Sequence, residues 1–141
     1  MSMPVWSLLA SAMWTLIVLA VGVGIYRWSL IIPGKAKLNA FPGDEPHGPP
    51  FYRRAVRAHA NCIENLPVFA AIVFAGYAAG ARSPVLDALS IAVVAARVAQ
   101  TSVHLISGTN LAVGIRFGIW CVQFAAFVWM AALIALHASA N

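Results

Sequence analysis

The sequence predicts an all-α integral membrane protein built as a four-transmembrane-helix bundle. Two observations carry this. The 141 residues are 62% hydrophobic and 9% charged, against about 45–50% apolar and about 25% charged in an ordinary soluble domain. Mean hydropathy is +0.83, and the apolar residues gather into four runs of about the 20 residues that a spanning helix needs. A disordered chain, a disulfide scaffold and a typical cytosolic enzyme are thereby excluded. The net charge of +5 does not signal nucleic acid, because such a partner needs a basic stripe in water. Six of the nine Lys and Arg instead fall between Arg27 and Arg57.

The helices are expected at about residues 5–31, 51–79, 84–107 and 111–138, within a single domain over 1–141. The first run is uncharged from Val5 to Tyr26. Trp6 at one end, and Tyr26 with Trp28 at the other, suit the aromatic belts of a span. It lacks the basic leader and short apolar core of a signal peptide, so it reads as a retained helix. The stretch 32–50 is rich in proline, glycine and charge and reads as a loop. Ser83-Pro84 is a helix start, serine capping and proline at the first helical position, and Asp87 suits the helix dipole there. Ser107-Gly108-Thr109-Asn110 breaks the third helix from the fourth.

Four spans put both termini on one side. The first loop and its flanks carry Arg27, Lys35, Lys37, Arg53, Arg54 and Arg57, the second loop only Arg82. The positive-inside rule therefore expects the first loop in the cytoplasm and the termini outside, in a bacterial inner membrane or a microsomal one. Ala20-x-x-x-Gly24 and Gly114-x-x-x-Gly118 offer close helix approach. Cys62 and Cys121 sit inside apolar runs and read as small core residues. No metal-ligand spacing is present. His47 and His137 read as a solvated loop residue and a terminal one.

The polar residues inside the spans demand partners, since each costs about 2.5–3.5 kcal/mol on insertion scales. At about 100° per residue, Arg57, Asn61 and Glu64 form one stripe, with Asn65 beside it and His59 roughly opposite. Arg97, Gln100 and His104 share a face of the third helix, Arg116 heads the fourth, and Gln123 lies further in. Opposed polar faces on the second helix point to an oligomer with a site at a subunit seam. One reading is structural: ion pairs Arg57–Glu64 and Arg97–Glu64, with amides as interhelical glue. The other starts from charge. Three arginines face the single acid Glu64, and that excess asks for an anionic ligand with carboxylates.

Arg57-Ala-His59-Ala-Asn61-Cys-Ile-Glu64-Asn65-Leu-Pro67 resembles the R-A-x-x-N-x-x-E-x-x-P signature of the MAPEG superfamily, the membrane-associated proteins of eicosanoid and glutathione metabolism. Arg97-Val-Ala-Gln100-x-x-x-His104 is similar to the family's third-helix segment, and length and layout agree along the whole chain. The resemblance implies a homotrimer with three glutathione sites between subunits. Arg57, Asn61, Glu64 and Asn65 would hold glutathione from one subunit, and His59 with Lys35 or Lys37 from its neighbour. Arg97 and Gln100 would line the pocket. Arg116 would lie near the thiol as the catalytic residue. His104 stands where several members have tyrosine, so eicosanoid synthesis is disfavoured while a donor to the ligand is kept.

The implied function is a glutathione transferase or peroxidase of detoxification. A thiol of pKa near 8.5 is a few per cent thiolate at neutral pH. An arginine beside it favours the anion, which attacks a hydrophobic electrophile or a lipid hydroperoxide. The alternative of the same fold is a catalytically silent lipid- or glutathione-binding protein. A small multidrug-type exporter is disfavoured, because its essential acid belongs in a first helix that here has none.

Overall fold

A computed structural model describes residues 1–42 and 45–140. Of the loop expected over 32–50, Gly43 and Asp44 lie outside the described residues, as does Asn141. Four helices are long and apolar enough to cross a membrane: Met3–Ile31, Pro50–Ala78, Pro84–Ile106 and Asn110–Ser139. They are called here the first to fourth helices. The second and third each pack against the other three, with the first and fourth to either side.

Local chemistry sets the ends. Proline opens the second helix at Pro50 and the third at Pro84, where a missing N–H costs nothing. The Ser83 hydroxyl accepts the Leu86 N–H at 3.1 Å, and Thr109 caps the fourth helix through the Ala112 N–H at 3.3 Å. The first two helices end on glycines in the left-handed region, Gly34 and Gly80. Each is followed by an N–H that reaches back five residues, Lys35 to Leu30 and Ala81 to Gly76, so the last turn's carbonyls are satisfied. Pro67 sits inside the second helix, a substitution that membrane helices tolerate better than soluble ones. The first helix is wound as a π-helix over Val18–Gly24, which its apolar periodicity does not announce.

Packing inverts the soluble pattern. The first helix buries Ser7, Ser11 and Thr15 and exposes Leu9, Met13, Leu16 and Leu19. The Ser7 and Ser90 hydroxyls meet at 3.1 Å. Small residues let backbones close up, at Gly22 against Ala55 and at Gly76 against Ile134. These contacts are not the glycine pairs picked out by sequence. A side chain at Gly114 or Gly118 meets nothing within 4 Å in the subunit. Cys62 is buried as expected, but Cys121 is exposed, because the face of the fourth helix that carries it points out of the bundle.

The core has three layers. Toward the termini, Phe69, Val73, Leu86, Val93, Phe127, Met130 and Ile134 form an apolar cluster. Toward the first loop, Val23, Tyr52 and Ala55 form a smaller one. Between them lie the polar side chains of the next section.

Gly22→Ala tests the close approach. The methyl gains up to about 1 kcal/mol of helix propensity but lands 3.1 Å from the Ala55 Cβ, and overpacking costs about 1–3 kcal/mol. Thermal unfolding in detergent should show a loss for Gly22→Ala and none for Gly114→Ala. Equal behaviour of the two variants would refute the packing assignment.

Candidate functional site

The second helix divides its polar residues between two destinations. Taking Arg53 as zero, about 100° per residue puts Arg57, Ala60 and Glu64 within about 40° of it. All four are exposed. Ala55, Ala58, Cys62 and Phe69 cluster on the far side and are buried. Asn61 stands at about 80°, on the edge, and turns inward. The stripe of Arg57, Asn61 and Glu64 expected from spacing is therefore split, with Asn61 in the bundle and both charges outside it.

Asn61 joins an interior network. One guanidinium nitrogen of Arg97, Nη1, donates to the Asn61 side-chain oxygen and to Gln100 Oε1 at 2.9 Å. Gln100 Oε1 also accepts from Gln123 Nε2 at 3.1 Å. Gln100 Nε2 donates to the Arg116 backbone carbonyl at 3.2 Å. Arg97, Gln100 and Gln123 are 5%, 7% and 1% exposed, so three helices are pinned through one buried cation. Arg97 Nη2, Gln123 Oε1 and Ser11 Oγ are buried without a partner. Arg97 and Ser11 both border a void of about 10 Å³, the space of about one water molecule.

The outer face carries a different feature. At the first-loop end a cavity of about 480 Å³ is bordered by Arg53, Arg54, Arg57, His47 and Glu45, with Gly108 of the third loop. That volume lies in the range of small-molecule sites. Arg54 is anchored, its Nε donating to the Leu105 carbonyl at 3.0 Å. A cation is favoured there by the negative end of the third helix. His104, half-buried on that helix, feels the positive charges of Arg116, Arg57 and Arg54. The loop ends of three helices thus converge on one strongly basic locality.

Not every candidate from the sequence comes together. Arg57 borders the cavity, and His104 lies within reach of its field. Asn61, Arg97 and Gln100 are in the interior network, with Asn65 tied to the Asn61 carbonyl at 2.9 Å. Glu64 is exposed and acts on Arg97 only through space. The ion pairs Arg57–Glu64 and Arg97–Glu64 do not form among the described residues. Arg116 is half-buried, with its backbone held by Gln100. His59 lies on the opposite edge of the second helix from Asn61, half-buried, with Nδ1 unpartnered. Lys35 and Lys37 are exposed beyond the first helix and do not border the cavity.

Sequence reasoning gave Arg54, Gln123 and His47 no place in the site, although it named Gln123 among the polar residues that need partners. Arg54 and Gln123 carried a signal, as ionic or amide side chains facing helices. His47 is no solvated residue: its ring lies 5.2 Å from that of Tyr52 and 6.0 Å from that of Phe41, and Nδ1 is 3.0 Å from the Glu45 carbonyl. No periodicity in a proline-rich loop points to such a fold-back.

Interhelical hydrogen bonds in membranes average about 0.6 kcal/mol. Gln100→Leu breaks two of these and also removes an acceptor from buried Arg97 on its own helix, so it should cost about 2 kcal/mol or more. Gln123→Leu removes one and should cost about 0.6 kcal/mol. Glu64→Gln should leave subunit unfolding unchanged. Reversible unfolding in mixed detergent micelles gives the order, and a larger effect of Glu64→Gln than of Gln100→Leu would contradict the network.

Comparison with known proteins agrees with this architecture. The family model described as MAPEG family matches residues 4–136. No curated protein and no solved structure matches the chain. A match over nearly the whole length, on four apolar helices with the second-helix signature in place, leads to one conclusion: the chain is an integral membrane protein belonging to the MAPEG family, which includes glutathione-related transferases and related enzymes.

Proposed function

We propose that the protein is a glutathione-binding membrane enzyme that activates the thiolate for conjugation to hydrophobic electrophiles or for reduction of lipid hydroperoxides. The observation that carries this reading is the unpaired basic face of the second helix. Arg53, Arg54 and Arg57 border a cavity with Glu45 as its bordering acid among the described residues. Glutathione offers two carboxylates, one ammonium and a thiol. Arginine forks suit the carboxylates, and exposed Glu64, further along the same stripe, suits the ammonium.

The face is open in the subunit, and so the reading includes a homotrimer in which a neighbour closes it. His59, Lys35 and Lys37 lie away from this cavity and are assigned to the neighbour's site. Asn61, Asn65, Arg97 and Gln100 support the wall from within. Arg116 is the thiolate-stabilising residue and His104 a donor beside it. Its field is strongest on a charged sulfur, so Arg116 acts on the thiolate rather than on the thiol. The thiolate sulfur forms a bond to an electrophilic carbon as the leaving group departs. Alternatively it attacks a peroxide oxygen, the O–O bond breaks, the alkoxide takes a proton and leaves as the alcohol, and the sulfenic acid condenses with a second glutathione to give disulfide and water. The first loop is assigned to the cytoplasmic side, where glutathione is found.

Calorimetric titration with glutathione tests binding. Arg57→Ala should weaken it by about 2–5 kcal/mol, the cost of stranding a carboxylate partner. Near-wild-type affinity would rule out the carboxylate assignment. Arg116→Ala should retain much of the affinity for an analogue without sulfur, while turnover with an aryl halide or a lipid hydroperoxide falls sharply. The ultraviolet band of bound thiolate should vanish or move to higher pH. Binding by the wild type without turnover or a thiolate band would establish the silent alternative.

A further inference from the structure

The first helix bears a second cavity, separate from the arginine-bordered one and of different character. It encloses about 530 Å³ and runs along Leu16, Ala20, Val23 and Arg27, with Leu38 and Phe41 of the first loop as its far wall. Its floor is the π-wound stretch Val18–Gly24, a geometry that recurs at functional sites. Apolar side chains border it except at one end, where Arg27 stands.

Arg27 is held in place. Its Nε donates to the Tyr52 hydroxyl at 2.7 Å, and Tyr52 is 1% exposed. The guanidinium carbon lies 5.3 Å from the centre of the Phe41 ring and 5.8 Å from that of Tyr52. The plane is thereby fixed, and Nη1 and Nη2 make no hydrogen bond among the described residues. Such a fork pairs with a phosphate through two parallel bonds.

Depth completes the match. Residue 17 is the midpoint of Met3–Ile31, so Arg27 sits about 15 Å from it along the helix, where a hydrocarbon core of about 30 Å gives way to headgroups. From Arg27 to Leu16 the groove descends about 16 Å, the thickness of one leaflet's chains. A neutral occupant would fill the groove and leave the guanidinium unanswered.

We propose that this groove is a binding site for an anionic phospholipid of the adjoining leaflet, its phosphate on the fork of Arg27 and one acyl chain along the π-wound segment. The site is independent of whatever fills the arginine-bordered cavity, and glutathione binding is a separate readout.

The test titrates detergent-purified protein with phosphatidylglycerol and phosphatidylcholine of identical chains, read by native mass spectrometry and thermal stability. Phosphatidylglycerol should be retained about fivefold better, the scale of one basic side chain at an anionic lipid surface. Arg27→Gln, which keeps a donor for Tyr52, should abolish the preference, and Arg27→Lys should restore part of it. Ala20→Trp fills the groove away from Tyr52 and should reduce retention of both lipids. Glycerol phosphate, with the headgroup and no chain, should give no protection. Equal retention of the two lipids, a preference that survives Arg27→Gln, or protection by glycerol phosphate alone overturns the proposal. So does rapid cross-linking between cysteines placed at position 20 of two subunits, which would make the groove a contact between copies.

Discussion

A guanidinium buried in the middle of a membrane bundle is the constraint on which the rest of this structure depends. Arg97 lies two residues from the midpoint of Pro84–Ile106, about 3 Å along the axis, at the depth where charge is most costly. It is made tolerable by neutral amides, Asn61 on one side and Gln100 on its own helix, with Gln123 behind. Each amide comes at a different angle, so the arrangement requires the second, third and fourth helices to keep one register. A slip of one residue rotates a side chain by about 100° and would turn the amide away. The apolar clusters above and below are permissive by comparison, since they tolerate volume-conserving exchange.

The same constraint explains why the charges of the second helix do not neutralise one another. Asn61 is drawn inward by Arg97, and that rotation fixes Arg57 and Glu64 on the outside. Arg54 is occupied by the Leu105 carbonyl, while the side chains of Arg53 and Arg57 make no hydrogen bond or ion pair among the described residues. A soluble protein would leave such groups to water. Along a membrane helix they must be answered by headgroups, by a ligand or by another subunit, and their exposure is a demand on the surroundings.

Much of the fold was legible because membrane helices announce themselves by length and hydropathy, because Ser83-Pro84 carries capping chemistry, and because Ser107-Gly108-Thr109-Asn110 marks a break. Spacing also identified the polar residues that matter. It could not apportion them. Asn61 and Glu64 are three residues apart and about 60° different in direction. Which of them faces inward depends on where the buried face is centred, and Ala55, Ala58 and Cys62 are too small and neutral to declare it. The glycine contacts failed to show for a related reason. Gly22 has no small residue four positions away, and Gly76 is paired in spacing only with Gly80, past the helix end, while Gly114 and Gly118 form a pair inside their helix, and only the partner helix decides which glycine is approached. The π-wound turn and the fold-back of His47 onto Phe41 and Tyr52 are tertiary outcomes without a local signature.

Arg27 and Arg97 show how one residue type is handled at two depths. Arg97 is surrounded by oxygen acceptors on packed helices, and its charge is spread over a network that has no opening beyond a void of about 10 Å³. Arg27 is clamped through Nε and two aromatic faces, which leaves its outer fork without a partner among the described residues. Aromatic clamping removes the rotamer entropy of a long side chain without spending its best hydrogen-bonding edge. An arginine needed only to bind its own helices is better served by the first arrangement. The second makes physical sense where the partner comes from outside the chain, which is why the end of the first helix reads as a recognition element as well as an anchor.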